Sequence, residues 1–215
     1  MKKVFLFICC FAISVMSLSA ANIEITFDGY AEGELLEQVQ GDLTWTDGRE
    51  SHPALSYLIE DGQLVIVQQE DRGQWIYINF ENQTGPITVT WDWQFVGNED
   101  QAEGIDVGFC LSDFDNFALG DNPETTWNEQ GGMARMGVGG VLDARFGDLE
   151  GGGDYFKDAD VVYSDGALIH MRMEIDGSSD EYSVYAQRDG EDEIQIADAF
   201  FLRRAFVDGI DTLSI

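Results

Sequence analysis

Residues 87–96 read ITVTWDWQFV, and residues 167–176 read ALIHMRMEID. In the first stretch Ile87, Val89, Trp91, Trp93 and Phe95 fall on one side of an extended chain, and Thr88, Thr90, Asp92 and Gln94 on the other. In the second, Ala167, Ile169, Met171, Met173 and Ile175 oppose His170, Arg172, Glu174 and Asp176. Such a period of two marks strands with one face in a core and one face in water. Working outward, the alternation returns at Gln63 to Gln69, Gln74 to Glu81, GIDVGFCLS (104–112), Glu181 to Gln187 and the closing FVDGIDTLSI (206–215). No window of useful length carries a helical period. The best helix candidate, ADAFFLRRA (197–205), is short and lacks a cap.

Turn chemistry separates these runs. Asp61-Gly62, Asp165-Gly166, Asp176-Gly177 and Asp189-Gly190 each lie between alternating segments. Asp-Gly pairs favour hairpins because both residues tolerate positive φ. Many short strands joined by such turns in one chain of 215 residues predict an all-β fold, a two-sheet antiparallel β-sandwich. Residues 113–153 are rich in Asn, Gly and Asp and are expected to carry long surface loops. There is no interior linker, repeat or low-complexity block, so residues 21–215 are expected to form a single domain.

Composition excludes several function classes. With 41 acidic and 11 basic side chains the formal charge is −30. A surface so acidic repels phosphate, which argues against nucleic acid and against anionic membranes as partners. Hydrophobic residues at 44% and aromatic ones at 12% supply a packed core and exclude disorder. The charge also favours a monomer.

Residues 1–20 read as a secretory signal peptide. Lys2 and Lys3 precede an apolar run from Val4 to Met16, and small residues follow at Ser17, Ser19, Ala20 and Ala21. The run is too short to span a membrane. Cleavage after Ala20 or Ala21 would remove both lysines, taking the charge from −30 to −32, and would remove Cys9 and Cys10. Cys110 then stands alone, without an intramolecular disulfide, and its neighbours Phe109 and Leu111 favour a buried apolar role. The protein is accordingly expected outside the cytoplasm, secreted or periplasmic.

The opening IEITFDGYAEGELL (23–36), the hairpin GALIHMRMEIDGSSDEYSVYAQRDGE (166–191) and the closing FVDGIDTLSI resemble bacterial members of the concanavalin A-like, laminin-G-like jelly-roll superfamily. The resemblance spans the chain beyond the leader. It implies a jelly roll, contact with carbohydrate, and a structural Ca²⁺ where the first and last strands meet. The residues matching that ion's position are Asp28 and Asp211, which supply the hard oxygen ligands calcium takes.

Several enzymatic constellations can be weighed. MEIDGSS (173–179) is similar to the laminarinase strand, yet Ser179 stands where the third acid belongs, leaving only Glu174 and Asp176. GDYFKDADVVY (153–163) resembles an alginate-lyase motif through Tyr155 and Lys157, with His170 and Arg172 as the remaining members of a lyase set. Eliminative cleavage of uronates needs positive groups, which are scarce here. His52 and His170 are the only histidines, too few for a zinc site, and no G-x-S-x-G elbow occurs.

Sugar recognition calls for aromatic faces beside hydrogen-bonding groups. Ile76, Ile78 and Phe80 claim the core side of QWIYINFE, which directs Trp75 and Tyr77 to the opposite face, either as a stacking platform or beneath the 113–153 loops. Polar strand faces add Asp92, Gln94, Asp106, Arg135, His170, Arg172 and Glu174 to the candidate ligand-binding set. The leading expectation is an exported, non-catalytic domain binding a polysaccharide or other surface polymer. The alternatives are a lyase or glycoside hydrolase working in the same groove, and a structural or adhesive domain of a larger protein.

Overall fold

A computed structural model describes residues 5–15, 22–25, 27, 29–36, 38–40, 43–47, 55–68, 75–97, 102, 105–113, 131–150, 152–176, 178–202, 204–206 and 208–215. Among these the strands are β1 (Phe5–Val15), β2 (Asn22–Ile25), β3 (Gly33–Glu34), β4 (Val39–Gln40), β5 (Leu43–Thr44), β6 (Thr46–Asp47), β7 (Leu55–Glu60), β8 (Gln63–Gln68) and β9 (Ile76–Gln83). They continue with β10 (Ile87–Val96), β11 (Val107–Ser112), β12 (Gly132–Gly137), β13 (Val141–Gly147), β14 (Gly153–Val162), β15 (Leu168–Asp176), β16 (Glu181–Arg188), β17 (Ile194–Phe201) and β18 (Ile210–Ser214).

Two antiparallel sheets face each other. The nine-stranded sheet runs β17-β16-β15-β10-β1-β8-β7-β3, with β2 also paired to β1, and the seven-stranded sheet runs β14-β13-β12-β11-β18-β9-β6. The alternating positions of β10 and β15 divide as their sequence dictates: Val89, Trp91, Trp93, Ile169, Met171 and Met173 are buried between the sheets. The indole of Trp91 stacks on Phe109 of the opposite sheet with ring centroids 3.9 Å apart and planes at 8°. The Tyr182 hydroxyl crosses the same interface, standing 3.0 Å from the Met133 carbonyl oxygen and reaching that of Arg145 as well. The expected two-sheet antiparallel β-sandwich is the fold observed.

The β7–β8 hairpin turns at Asp61 and Gly62, whose φ values of 52° and 73° are what a two-residue type I′ turn requires. Residues 197–201, within the best helix candidate, belong to β17, in keeping with the lack of a helical period, and the strand is distorted near Ala199, which has φ 50°. One local expectation needs correction. Within 113–153, residues 132–147 are two core strands instead of loop. β12 and most of β13 are buried on both faces, and the polar positions of β13, Asp143 and Arg145, are buried as well, so they do not mark a wet face as polar strand positions usually do.

Phe5–Val15, the apolar segment of the leader reading, lies as β1 between β10 and β8. It pairs with β10 from Phe5↔Val96 to Val15↔Ile87, with a bulge between Cys9 and Ala12. Among the described residues no helix is long and apolar enough to cross a membrane.

Candidate functional site

The outward face of the nine-stranded sheet carries two polar rows across β10, β15 and β16. Strand register aligns Asp92 with His170 and His170 with Gln187, and it aligns Thr90 with Arg172 and Arg172 with Tyr185. Over these rows lies an open cleft of about 390 Å³ lined by Thr90, Asp92, His170, Arg172, Gln187 and Glu193, together with Trp91 and Met171.

Within it His170 Nδ1 and Asp92 Oδ1 are 2.6 Å apart, with the imidazole 43% and the carboxylate 31% exposed. An ionised carboxylate only accepts, so in this contact Nδ1 carries the proton. Arg172 is held on three sides. Its Nε donates to Glu193 Oε2 at 3.0 Å and Nη2 to Glu193 Oε1 at 2.5 Å, while Nη1 donates to Glu174. Its guanidinium carbon lies 3.7 Å from the centre of the Tyr185 ring, a cation–π stack. The Glu193 carboxylate pushes the guanidinium above its ordinary basicity, so the charge on Arg172 is fixed.

Four residues expected to bind ligand, Asp92, His170, Arg172 and Glu174, therefore stand together on one face. Gln94 is at the end of the same strand, where its side-chain amide donates to the Gly166 carbonyl at 3.0 Å and closes the turn before β15. The other candidates belong to the seven-stranded sheet or its approaches. Arg135 is 6% exposed and clamped by Asp143 through Nε and Nη2 at 2.8 and 2.7 Å, with Asp106 at 2.8 Å from Nη1. Arg135 and Asp106 thus form a structural ion-pair network, remote in sheet order from the cleft. Trp75 is buried at 9% exposure just before β9, and the expectation of a solvent-facing stacking platform is corrected accordingly. Tyr77 is half-buried on β9.

The enzymatic sets separate in the same way. His170 and Arg172 lie on β15, whereas Tyr155 and Lys157 lie on β14 at the edge of the other sheet. Asp176 Oδ1 accepts hydrogen bonds from the Ser178 amide at 2.9 Å and its hydroxyl at 2.6 Å, and these hold the carboxyl below the usual carboxylate range. A general acid for glycoside hydrolysis needs the opposite shift.

The calcium expectation placed the first and last strands together. Here β2 pairs with β1, whereas the neighbours of β18 are β11 and β9, so the two strands lie in different sheets. Asp211 Oδ1 accepts from the Thr212 hydroxyl at 3.0 Å, and Asp28 and His52 lie outside the described residues. Among the described residues no group of three or more His, Cys, Asp or Glu side chains is placed to hold a metal ion. Cys110 is buried, as its neighbours implied.

Tyr185, Gln187 and Glu193 were not singled out by sequence. The first two occupy the polar positions of an alternating strand and could have been included on that signal, but Glu193 lies in the connection before β17 and gives none. Comparison with protein-family models, with curated proteins and with solved structures finds no match for this chain.

Proposed function

We propose that the chain is an exported jelly-roll domain that binds a glycan, without catalysis, in the cleft over β10, β15 and β16. The observation that carries this reading is the convergence of the Asp92–His170 pair and the Arg172–Tyr185 stack on one open cleft of about 390 Å³. That volume suits a small ligand or a few sugar residues. The polar groups are held in place by one another, so little ordering accompanies binding. The resemblance to concanavalin A-like domains supports the same reading.

Titration of the protein against a panel of soluble oligosaccharides tests it. Binding should be lost in His170→Ala and Arg172→Ala variants whose melting temperatures stay near that of the parent. No oligosaccharide binding by the parent protein would end the proposal. Export is tested separately by N-terminal sequencing of the secreted product, which should begin at Ala21 or Asn22.

A second reading rests on the same dyad. An imidazole oriented by a carboxylate, with its far nitrogen free to take a proton, is the arrangement of a general base. Product analysis on the ligand that binds distinguishes the two, because shortened chains that disappear in His170→Ala would make the protein an enzyme. A structural Ca²⁺ at Asp28 and Asp211 rests on the resemblance alone, because Asp28 lies outside the described residues.

A further inference from the structure

Resting on the glycan reading, we infer that the cleft selects sugars bearing a free, protonated amine, such as oligomers of glucosamine, over both uronates and N-acetylated sugars. The inference comes from counting what the cleft can offer. In the neutral tautomer that donates Nδ1–H to Asp92, His170 Nε2 is an acceptor. Asp92 has its second carboxylate oxygen left over, since only Oδ1 meets His170. Gln187 donates through its nitrogen to the Glu191 carbonyl at 2.8 Å, leaving its Oε1 as an acceptor.

The cationic group of the cleft, Arg172, has its Nε and both Nη atoms engaged by Glu193 and Glu174, and one face covered by Tyr185. Asp92, Glu174 and Glu193 against Arg172 leave the neighbourhood two charges negative. An anionic sugar would find neither a spare cation nor many donors there. A neutral sugar would satisfy acceptors through its hydroxyls without relieving the charge. An ammonium group supplies three N–H donors and a positive charge at once.

The test compares glucosamine trisaccharide, its N-acetylated counterpart and trilysine, titrated in 0.15 M NaCl so that diffuse attraction to an acidic protein is screened beyond about 8 Å. The free-amine sugar should bind at least about tenfold more tightly than either competitor. Asp92→Asn should weaken it about tenfold, a loss typical of one charge-assisted hydrogen bond. Glu81→Gln removes the same charge from an exposed position on the other sheet and should change nothing. Gln187→Glu adds a carboxylate at an exposed cleft position and should tighten binding, which keeps the test open even if Asp92→Asn fails to fold.

Equal binding of the N-acetylated sugar would overturn the amine preference while sparing the glycan reading. Equal binding of trilysine, or an equal loss in Glu81→Gln, would reduce the effect to diffuse charge and overturn the inference. Failure of both sugars, with binding of some other glycan from the panel, would overturn the inference alone. Failure of every glycan would remove the underlying reading as well.

Discussion

Arg135 and Asp143 allow a quantitative test of how the seven-stranded sheet is held. The Asp143 carboxylate is fully buried and meets two guanidinium nitrogens of Arg135 at 2.7 and 2.8 Å. It also packs so closely on β12 that a Cβ added at Gly137 would stand 2.3 Å from its Oδ2. Replacing Asp143 by Leu leaves a guanidinium, only 6% exposed, with the largely exposed Asp106 as the remaining carboxylate of this network. Removing one partner of a buried pair costs about 3–5 kcal/mol, and the Asp106 contact that Arg135 keeps puts this variant toward the lower end. Replacing both, as in Arg135→Met with Asp143→Leu, removes the poorly compensated charge and should recover most of that loss. The double variant should fall within about 1–2 kcal/mol of the parent. Asp106→Ala should cost below about 1 kcal/mol, because that carboxylate is 42% exposed and screened. Urea unfolding followed by the fluorescence of the five tryptophans reads all four proteins, provided the m-value is constant. An Asp143→Leu cost under 1 kcal/mol, or a double variant no better than that single one, would refute this account.

Three further outcomes can be checked. Burial pushes the phenols of Tyr57, Tyr163 and Tyr182 well above their ordinary value of 10.0, so the folded chain keeps protons that the unfolded chain releases. Stability should therefore be intact below pH 10 and fall above it by about 1.4 kcal/mol per pH unit for each phenol, seen as a falling urea midpoint that Tyr182→Phe makes shallower. On the acid side, the Arg188 guanidinium holds Asp165 below its ordinary 3.8, so this pair stabilises the fold above that value and loses its effect as pH falls through the lower folded-state value. Asp165→Asn should cost about 0.2–1 kcal/mol at neutral pH, read from thermal melts, and the difference from the parent should vanish in acid. A chain starting at residue 21 should lose hydrogen-exchange protection at alternate amides of β10 and at those of residues 64–67 that face β1, whereas β15 and β16 should keep theirs.

The parts of this fold that sequence makes legible are those with one wet face. β10 and β15 alternate cleanly because Thr90, Asp92, His170 and Arg172 look outward while Trp91 and Met171 look inward. β12 and β13 alternate in polarity too weakly to be read, since Arg135 and Asp143 neutralise each other in a buried layer and glycines take neighbouring positions. The same pairing explains why Arg135 and Asp106 passed for ligand-binding groups: a guanidinium in water and one clamped by carboxylates look alike in sequence. Strand polarity identified half of the cleft. What it could not supply was register, because β10 and β15 meet only after four other strands have been laid in the opposite sheet. Trp75 shows the complementary failure, in which alternation gives the side of a strand but not whether another segment covers that side.

The segment Phe5–Val15 bears on the cleft from the other edge of β10. An apolar run interrupted only by Ser14 suits a leader, and it equally suits a central strand, so its composition serves either state. In the full chain it aligns Cys9 with Asp92 and Ala12 with Thr90, directly beside two of the cleft residues. If residues 1–20 are removed, as the export reading proposes, β10 loses the partner on that side and the spacing between β10 and β8 becomes about two strand widths, near 10 Å. The pairing of β10 with β15 and of β15 with β16 does not pass through β1, so the Asp92–His170 contact and the Arg172–Tyr185 stack do not depend on it. The backbone donors and acceptors of β10 that pair with β1 would then be open along that edge, where a bound chain of sugars could reach them. Processing on this view preserves the chemistry of the site and lengthens the surface on which a polymer can lie.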